Sequence, residues 1–362
     1  MPDRADVMAR ASELRARFEK AGAQPVETPV LQPAETLLDL YGEDIRARAY
    51  VTSDALRGEQ MLRPDFTVPV VQMHMANGAE PARYTYAGEV FRRQEHDPDR
   101  ANEYFQVGYE VFDRTDPAGA DAEVFALIAE TLSGLELTPV TGDIGILMAA
   151  VGGLSTTDRR KAALRRHIWR PRRFRALLDR FAGHAPVPPS RTALLAAADP
   201  IAGAGPDIGK RSLSEVAERI AALREDAAVP PLSETELSAL EALLSVRETL
   251  PFALEQLRDV AVDLPAITPA LDRLEARIEA LAARGVDVRN LGFEASHGRS
   301  SMEYYDGFVF GFLATSRPDL PPVATGGRYD ALTRRLGDGG EIPAVGGVLR
   351  PGVMLELEEA AR

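Results

Sequence analysis

Two stretches of alternating apolar and polar residues constrain the fold of this chain most strongly. They read "ARYTYAGEVFRR" and "EYFQVGYEVFDR", and both are rich in aromatic and β-branched side chains. Such alternation is typical of β-strands that bury one face. A run of polar residues from Glu95 to Glu103 joins them. We therefore predict two adjacent antiparallel strands, and with them an antiparallel sheet.

The rest of the first 150 residues adds helices and further strands. Apolar residues at helical spacing predict an opening helix over residues 3–21, and this spacing returns over residues 119–137. Between these helices, "PVETPVLQPAETLLDLYG" predicts a proline-rich extended run and then a short helix, since proline cannot donate to a β-ladder. Strand character is also present in "QMLRPDF" and "PVTGDIGIL".

The composition changes over residues 151–286, where Ala, Leu, Arg and Glu dominate. Four linker-like segments rich in proline and glycine divide this region, which predicts four or five helices. Strand character returns afterwards, in "VRNLGFEA", "MEYYDGFVFGFLA", "PPVATGGRYDAL" and "IPAVGGVL". We expect these late strands to complete the first sheet. The predicted fold is α+β, with a core of residues 1–150 and 287–362, a C-terminal helix, and a helical insertion at residues 151–286.

Composition excludes several classes of function. The 362 residues include 55 acidic and 42 basic side chains, a formal charge of −13 that opposes broad contact with a polyanion. The absence of cysteine excludes disulfides, thiolate catalysis and zinc–thiolate sites. The five histidines are scattered without ligand spacing, so no metal is expected. A signal peptide and an 18-residue apolar run are both missing, which predicts a cytoplasmic protein.

Polar residues at alternate positions suggest a ligand site on the sheet. Arg92 ends the first of the two strands, and Gln106 and Glu110 share one face of the second. Upstream, Asp65 and Thr67 share with Arg63 the spacing of one face of an extended run. Two carboxylates beside an amide and a hydroxyl would suit an α-ammonium group. The alternative is a solvated sheet face whose charges serve only solubility.

Four motifs in one order resemble a known family. They are "LRPDFT", "YAGEVFRRQ", "FQVGYEVF" and "GGRYDAL", and together they are similar to the catalytic core of histidyl-tRNA synthetases, which are class II aminoacyl-tRNA synthetases. The resemblance covers residues 1 to about 145 and 286–362. It implies a class II synthetase-like antiparallel sheet, flanked by helices, on which ATP and the amino acid lie.

The resemblance also implies roles for individual residues. The positions that contact the histidine ammonium in the family are matched here by Asp65, Thr67, Gln106 and Glu110. Part of the family's side-chain pocket is matched by Tyr304 and Tyr305. The part of the site that binds the amino acid is therefore expected to be retained in this chain.

The ATP half departs from the family pattern. The second class motif keeps Arg92 but has Gln94 in place of an acid. The arginine that is thought to stabilise the activated carboxylate is matched by Ser300, with Arg299 one position away. Loss of such a cation is typically worth about 3 kcal/mol in the transition state.

The third class motif has also lost its arginine. The matching position is Val353. Arg350 is not expected to substitute, because Pro351 restricts its backbone and alters the start of the helix. An anticodon-binding domain, with which a synthetase continues, is not expected either.

A synthetase-like chain with these departures looks like the regulatory-subunit family of ATP phosphoribosyltransferase, the first enzyme of histidine biosynthesis. That resemblance implies a chain without catalysis or cofactor of its own, in complex with a short-form catalytic subunit that is a glycosyltransferase. It also implies L-histidine as a possible effector and a homodimer within the hetero-oligomer, paired through "PVLQPAETLLDLYG". The alternative is a truncated synthetase paralogue that retains histidine activation or RNA binding.

An arginine-rich stretch at residues 158–180 stands out in this acidic chain and contains its single tryptophan, Trp169. Local basicity beside an aromatic residue is compatible with RNA contact. The commoner arrangement is a helical surface whose arginines pair with neighbouring acids or bind an acidic partner. We expect the second arrangement, with His167 as a surface residue.

Overall fold

The computed structural model describes residues 2–41, 45–94, 100–203, 205, 208–299 and 304–360. In these ranges the strands are β1 (Gln24–Pro25), β2 (Leu31–Pro33), β3 (Val51–Asp54), β4 (Gly58–Leu62), β5 (Ala82–Phe91), β6 (Glu103–Phe112), β7 (Thr138–Asp143), β8 (Arg247–Thr249), β9 (Gly292–Glu294), β10 (Phe308–Leu313), β11 (Ala324–Arg328) and β12 (Ala344–Leu349). The α-helices are α1 (Arg4–Lys20), α2 (Ala34–Tyr41), α3 (Ile45–Arg48), α4 (Thr67–Asn77), α5 (Pro117–Thr131), α6 (Ile144–Gly153), α7 (Asp158–Arg166), α8 (Pro171–Phe181), α9 (Pro189–Ala196), α10 (Leu213–Ala228), α11 (Glu234–Ser245), α12 (Leu250–Asp263), α13 (Thr268–Ala283), α14 (Asp330–Leu336) and α15 (Pro351–Ala360).

Nine strands form the main sheet, in the order β1-β5-β6-β12-β11-β10-β7-β9-β8. The predicted antiparallel pairing of β5 with β6 is confirmed, and β12 pairs antiparallel with the other edge of β6. The strands from the chain's end, β10 to β12, lie in the middle of this sheet, as the sequence predicted. Parallel pairing is found for β1 with β5 and for β7 with β9.

One face of the sheet is covered by helices. Helix α1 begins at a side-chain cap, because Asp3 accepts a hydrogen bond from the Ala5 backbone nitrogen, and it buries Phe18 against Tyr109 of β6. Helix α5 packs Phe125 against the alternate β10 residues Phe308, Phe310 and Phe312. We call this the helix-covered face. Because side chains alternate along β6, Gln106 and Glu110 point to the opposite face.

A smaller sheet in the order β2-β4-β3 precedes α4. The extended run predicted through Arg63, Asp65 and Thr67 is wrong, since β4 ends at Leu62 and α4 begins at Thr67. The chain therefore turns within this segment, and the three side chains do not share a strand face.

Residues 151–286 contain more helices than the four or five expected, from α7 to α13 in the described part. The C-terminal part of this region is continuous with the core. Strand β8 pairs with β9, and Arg277 of α13 bonds Asp121 of α5 and Asp143 at the end of β7. The division at residue 286 stays a prediction. Among the described residues, none of the helices has the length and apolarity needed to cross a membrane.

Candidate functional site

A cavity of about 160 Å³ opens on the face of the sheet opposite α1 and α5. The residues that the sequence assigned to amino-acid binding all line it, namely Asp65, Thr67, Gln106, Glu110, Tyr304 and Tyr305. Arg92 lines it as well. The structure thus brings together side chains that come from four separate parts of the chain.

Glu110 is the most enclosed acid of the cavity, with 1% of its surface exposed. One carboxylate oxygen accepts hydrogen bonds from Thr67 Oγ1 at 3.0 Å and from the Tyr86 hydroxyl at 2.8 Å. The other accepts from the Tyr329 hydroxyl at 2.6 Å. Burial raises the pKa of Glu110 to about 7, against the hydroxyl bonds that favour the ionised form. The carboxyl group is therefore held in place by neutral donors, and a cationic ligand in the cavity would favour its ionised form.

The neighbouring strand makes room for this carboxylate. Gly346 of β12 lies directly opposite Glu110. A Cβ atom at position 346 would lie 1.4 Å from Glu110 Oε2, so that a side chain there would displace the acid. The glycine-rich pattern of β12 therefore shapes the floor of the cavity.

Asp65 and Thr67 enter the cavity from the turn between β4 and α4. Asp65 is buried, and its Oδ1 lies 3.4 Å from the Val68 backbone nitrogen at the start of α4. Arg63 turns away from them. Its guanidinium donates to the Glu89 and Thr28 carbonyls and lies 4.0 Å from the centre of the Phe66 ring. Arg63 is therefore a structural cation beside the cavity.

Gln106 carries an unsatisfied amide. Its side chain is 1% exposed, and neither its nitrogen nor its oxygen has a hydrogen-bond partner in the described part of the chain. A buried polar group without a partner costs roughly 1–3 kcal/mol. Because this amide lines the cavity, a ligand or solvent in the cavity is the natural source of its hydrogen bonds.

The cavity also contains cations. Arg92 donates from Nε to the Pro64 carbonyl at 2.7 Å. Arg350 donates to the Pro322 carbonyl at 2.6 Å and to Thr325 Oγ1 at 3.3 Å. Two carboxylates and two guanidinium groups thus line one small space. This combination is complementary to a zwitterion, because each charge prefers an ionised partner of opposite sign.

Sequence reasoning missed several residues that line the cavity, among them Tyr329 and Arg350. Tyr329 belongs to the "GGRYDAL" motif, so that the motif itself could have indicated it. Arg350 gave no such signal, since its place in the cavity depends on the pairing of β12 with β6 and β11.

Two of the other residues that match ATP-handling positions of the family, Gln94 and Val353, do not line the cavity with Arg92. Gln94 is absent from the cavity lining, and its backbone nitrogen donates to Asn102 Oδ1. Val353 lies on α15 and packs partly buried against the hydrophobic core. Ser300 lies outside the described residues. Arg299 donates to the Ile168 carbonyl at 2.9 Å, so that it contacts the α7–α8 connection instead of the cavity.

The arginine-rich stretch divides into paired and exposed arginines. Arg160 and Arg180 both bond Asp226 of α10, and Arg175 bonds Glu241 of α11. In contrast, four exposed arginines of α7 and α8 have no ion pair with any described residue: Arg165, Arg166, Arg172 and Arg173. Within the described ranges, no group of three or more histidine, aspartate and glutamate side chains could hold a metal ion.

Comparison with known proteins first shows which class of protein this chain belongs to. The family model for histidyl-tRNA synthetase matches residues 1–224 and 211–352. Among solved structures, a histidyl-tRNA synthetase from Nostoc sp. PCC 7120 superposes with a TM-score of 0.63 at 17% identity, covering 98% of this chain and 72% of that chain. The predicted class II synthetase-like fold is confirmed, and the chain is a histidyl-tRNA synthetase-like protein.

Curated relatives then show which family within this class the chain belongs to. Proteins from Brucella anthropi and Brucella ovis, both named ATP phosphoribosyltransferase regulatory subunit, are 33% and 32% identical. Each alignment covers 92% of this chain and 93% of the relative. A Bacillus halodurans structure described as an ATP phosphoribosyltransferase regulatory subunit/histidyl-tRNA synthetase superposes with a TM-score of 0.68 at 22% identity, covering 99% of this chain and 81% of that one. The chain belongs to the family of ATP phosphoribosyltransferase regulatory subunits.

Proposed function

We propose that this chain is a non-catalytic regulatory subunit that binds and activates a short-form ATP phosphoribosyltransferase catalytic chain in the cytoplasm. The catalytic chain, a glycosyltransferase, would carry out the first step of histidine biosynthesis. L-Histidine bound to the regulatory chain would suppress the activation. The convergence of all six amino-acid-binding positions on one cavity carries this proposal, beside the names of the relatives.

The cavity favours an amino acid as the ligand. Its volume of about 160 Å³ is below the roughly 300–1,000 Å³ of pockets that hold drug-sized molecules. Acidic groups, an amide and guanidinium groups together match an amino acid's ammonium and carboxylate. Among the positions that correspond to ATP handling in synthetases, Gln94 and Val353 lie outside the lining, which supports a role without ATP chemistry.

Feedback then requires a difference in affinity between two assembled states. A ligand shifts an equilibrium only by as much as it binds one state more tightly than the other. L-Histidine in the cavity would bind more tightly to a less active arrangement of the complex, and the catalytic chain's substrates would favour the other.

We propose in addition that two copies of the chain pair through the early strand and helix, β2 and α2. Val30, Leu31 and Val51, on or beside the small sheet, are exposed apolar residues. An edge strand with exposed apolar side chains is suited to pairing with a second chain. Sedimentation of the purified chain would test this, and a monomer at micromolar concentration would contradict it.

The activity test uses a short-form catalytic subunit from the same organism. Its initial rate is measured alone, with this chain, and then with this chain and L-histidine. We expect activation by the chain, suppression by L-histidine, and co-elution of the two proteins. The matched variant Glu110→Gln should still activate, but L-histidine should suppress it less, since the cavity loses its anionic centre.

Two results would contradict the proposal. If the chain does not activate the catalytic subunit and does not co-elute with it, the alternative of a truncated synthetase paralogue is favoured. ATP–pyrophosphate exchange with histidine is the direct test of that alternative. Salt-sensitive tRNA binding without co-elution would favour an RNA-binding paralogue. Unchanged suppression in the Glu110→Gln variant would leave the regulatory role intact and place the effector site elsewhere.

A further inference from the structure

Arg350 is a cavity cation that has no acidic partner among the described residues. It follows the last residue of β12, and its backbone nitrogen donates to the Val323 carbonyl at 2.9 Å. The guanidinium is then fixed by the Pro322 carbonyl and the Thr325 hydroxyl. These contacts come from β11 and from the segment before it, so that the cation is held by the sheet itself.

All of these partners are neutral. No ion pair joins Arg350 to an acid anywhere in the described ranges, and the groups that act on it electrostatically include Tyr104 and a second cation, Arg92. Burial lowers the pKa of Arg350, and the proximity of Arg92 acts in the same direction. A half-buried guanidinium without an acidic partner carries a desolvation cost that an anionic ligand would offset.

Strand register places Arg350 beside the unsatisfied amide. Leu349, the last residue of β12, pairs with Val107, and extending this register by one residue puts Arg350 at the level of Gln106. At about 3.3 Å per residue, the backbone at these two positions is roughly 13 Å along the sheet from the pair formed by Gly346 and Glu110. The Arg350 guanidinium reaches back toward that pair, since it contacts Thr325, whose strand partner is Val348. The cavity therefore has two ends, one with an acid and one with a guanidinium beside a free amide.

We propose that Arg350 binds the α-carboxylate of the amino acid in this cavity, with the Gln106 amide nitrogen as a second donor to it, while the Gln106 oxygen accepts from the adjacent ammonium group. The inference rests on the proposed amino-acid pocket and adds the group that selects a free carboxylate. Arg350 lies at a position that the class II motifs do not assign to the amino acid. Guanidinium and carboxylate form charge-assisted, often bidentate hydrogen bonds, which supply both affinity and geometric selectivity.

The first arm of the test is calorimetry on the unmodified full chain with three ligands. L-Histidine carries the carboxylate, L-histidinol has an alcohol in its place, and histamine lacks the group. We expect L-histidine to bind about 10- to 100-fold more tightly than either analogue. Equal affinities for the three ligands would overturn the inference without any variant.

The second arm uses Arg350→Gln, which keeps a hydrogen-bond donor and removes the charge. L-Histidine affinity should fall about 10- to 100-fold, whereas histamine affinity should change less than about threefold. Arg350→Lys should recover part of the loss, since it restores the charge but not the planar fork. Arg317→Gln is the matched control, because Arg317 pairs with Asp319 and does not line the cavity.

The outcomes separate this inference from the proposed pocket. Equal losses for L-histidine and histamine in Arg350→Gln would mean that Arg350 only shapes the cavity. Arginine-dependent binding of ATP, in place of L-histidine, would mean that its partner is a phosphate. Failure of the unmodified chain to bind L-histidine at all would overturn the pocket itself.

Discussion

Buried charges have oppositely charged partners on one face of the main sheet and lack them on the other, among the described residues. On the helix-covered face, Arg277 bonds Asp121 and Asp143, and Arg328 bonds Asp121 and Asp330, so each guanidinium has two acidic partners. On the cavity face, the described residues that bond Glu110 do so only through hydroxyl groups.

The rest of the cavity face follows the same pattern. The Gln106 amide has no partner and Arg350 has no acid among the described residues. Both faces belong to one continuous sheet.

This difference distinguishes folding from binding. Buried charges cost free energy unless they are paired and hydrogen-bonded. A network in which each charge is compensated needs nothing from outside the chain. Groups that are buried and left uncompensated lower stability, and such violations are expected where a ligand completes the interactions. Four variants test the comparison, from the largest expected effect to the smallest.

Arg277→Met should have the largest effect, because it removes one cation from a compensated network. Asp143 would then lose its charged partner in a buried site. We expect the free energy of unfolding to fall by about 3–5 kcal/mol in urea titrations. The control is Arg258→Met, whose exposed pair with Glu275 should contribute less than about 1 kcal/mol. Similar losses in the two variants would contradict the contrast between the faces.

Gly346→Ala should disturb the cavity face by sterics alone. The added methyl group would overlap Glu110 Oε2, so the carboxylate must move away from its hydroxyl donors. We expect a loss of about 1–3 kcal/mol in stability and a loss of L-histidine binding in calorimetry. Gly134→Ala is the matched control, since nothing lies within 4 Å of its Cβ position. Undiminished binding by Gly346→Ala would show that Glu110 does not contact the ligand.

Glu110→Gln should change how stability depends on pH. Burial raises the pKa of Glu110 from 4.5 to about 7 in the folded chain. The protonated acid therefore favours folding below pH 4.5, and this contribution is lost as the pH rises to about 7. Relative to the unmodified chain, the variant should gain on the order of 2 kcal/mol between these values. Urea titrations at pH 5 and pH 8 measure it, and a pH-independent difference would refute the raised pKa.

Charge reversal at the exposed arginines should have the smallest effect on stability. Arg160 and Arg180 are paired with Asp226, whereas Arg165, Arg166, Arg172 and Arg173 are exposed without acids. Replacing these four with Glu should change the free energy of unfolding by about 1 kcal/mol or less. It should nevertheless weaken co-elution with the catalytic subunit if this surface binds an acidic partner.

The matched control for that surface reverses the same number of exposed arginines elsewhere that have no ion pair with a described residue, at Arg219, Arg273, Arg289 and Arg335. Equal effects of the two sets on co-elution would mean that only net charge matters. Intact co-elution of the first set would remove α7 and α8 from the interface.

Much of the fold was predictable from local pattern. Period-two alternation indicated β5 and β6, and helical spacing indicated α1 and α5. The pattern failed at residues 63–67, where alternating polar residues looked like a continued strand. Pro64 and the start of α4 turn the chain there, so Arg63 and Asp65 point to different surroundings.

The site was predictable only in part. Motif resemblance indicated the six amino-acid positions, which do converge. It did not indicate Arg350, because a residue just beyond a strand joins a cavity only through the register of that strand with its neighbours. Nor did spacing indicate that Arg277 would cross from the helical region to bond Asp121 and Asp143.

The sequence by itself determined the class of fold, the order of its strands and helices, and the residue types available for an amino acid. Those properties depend on neighbours a few positions apart, through side-chain period and turn chemistry. Only the tertiary structure decided which charges are compensated. Glu110 and Gly346, or Gln106 and Arg350, are more than two hundred positions apart, and strand pairing in one sheet brings them together because hydrogen-bond register fixes which side chains share a face.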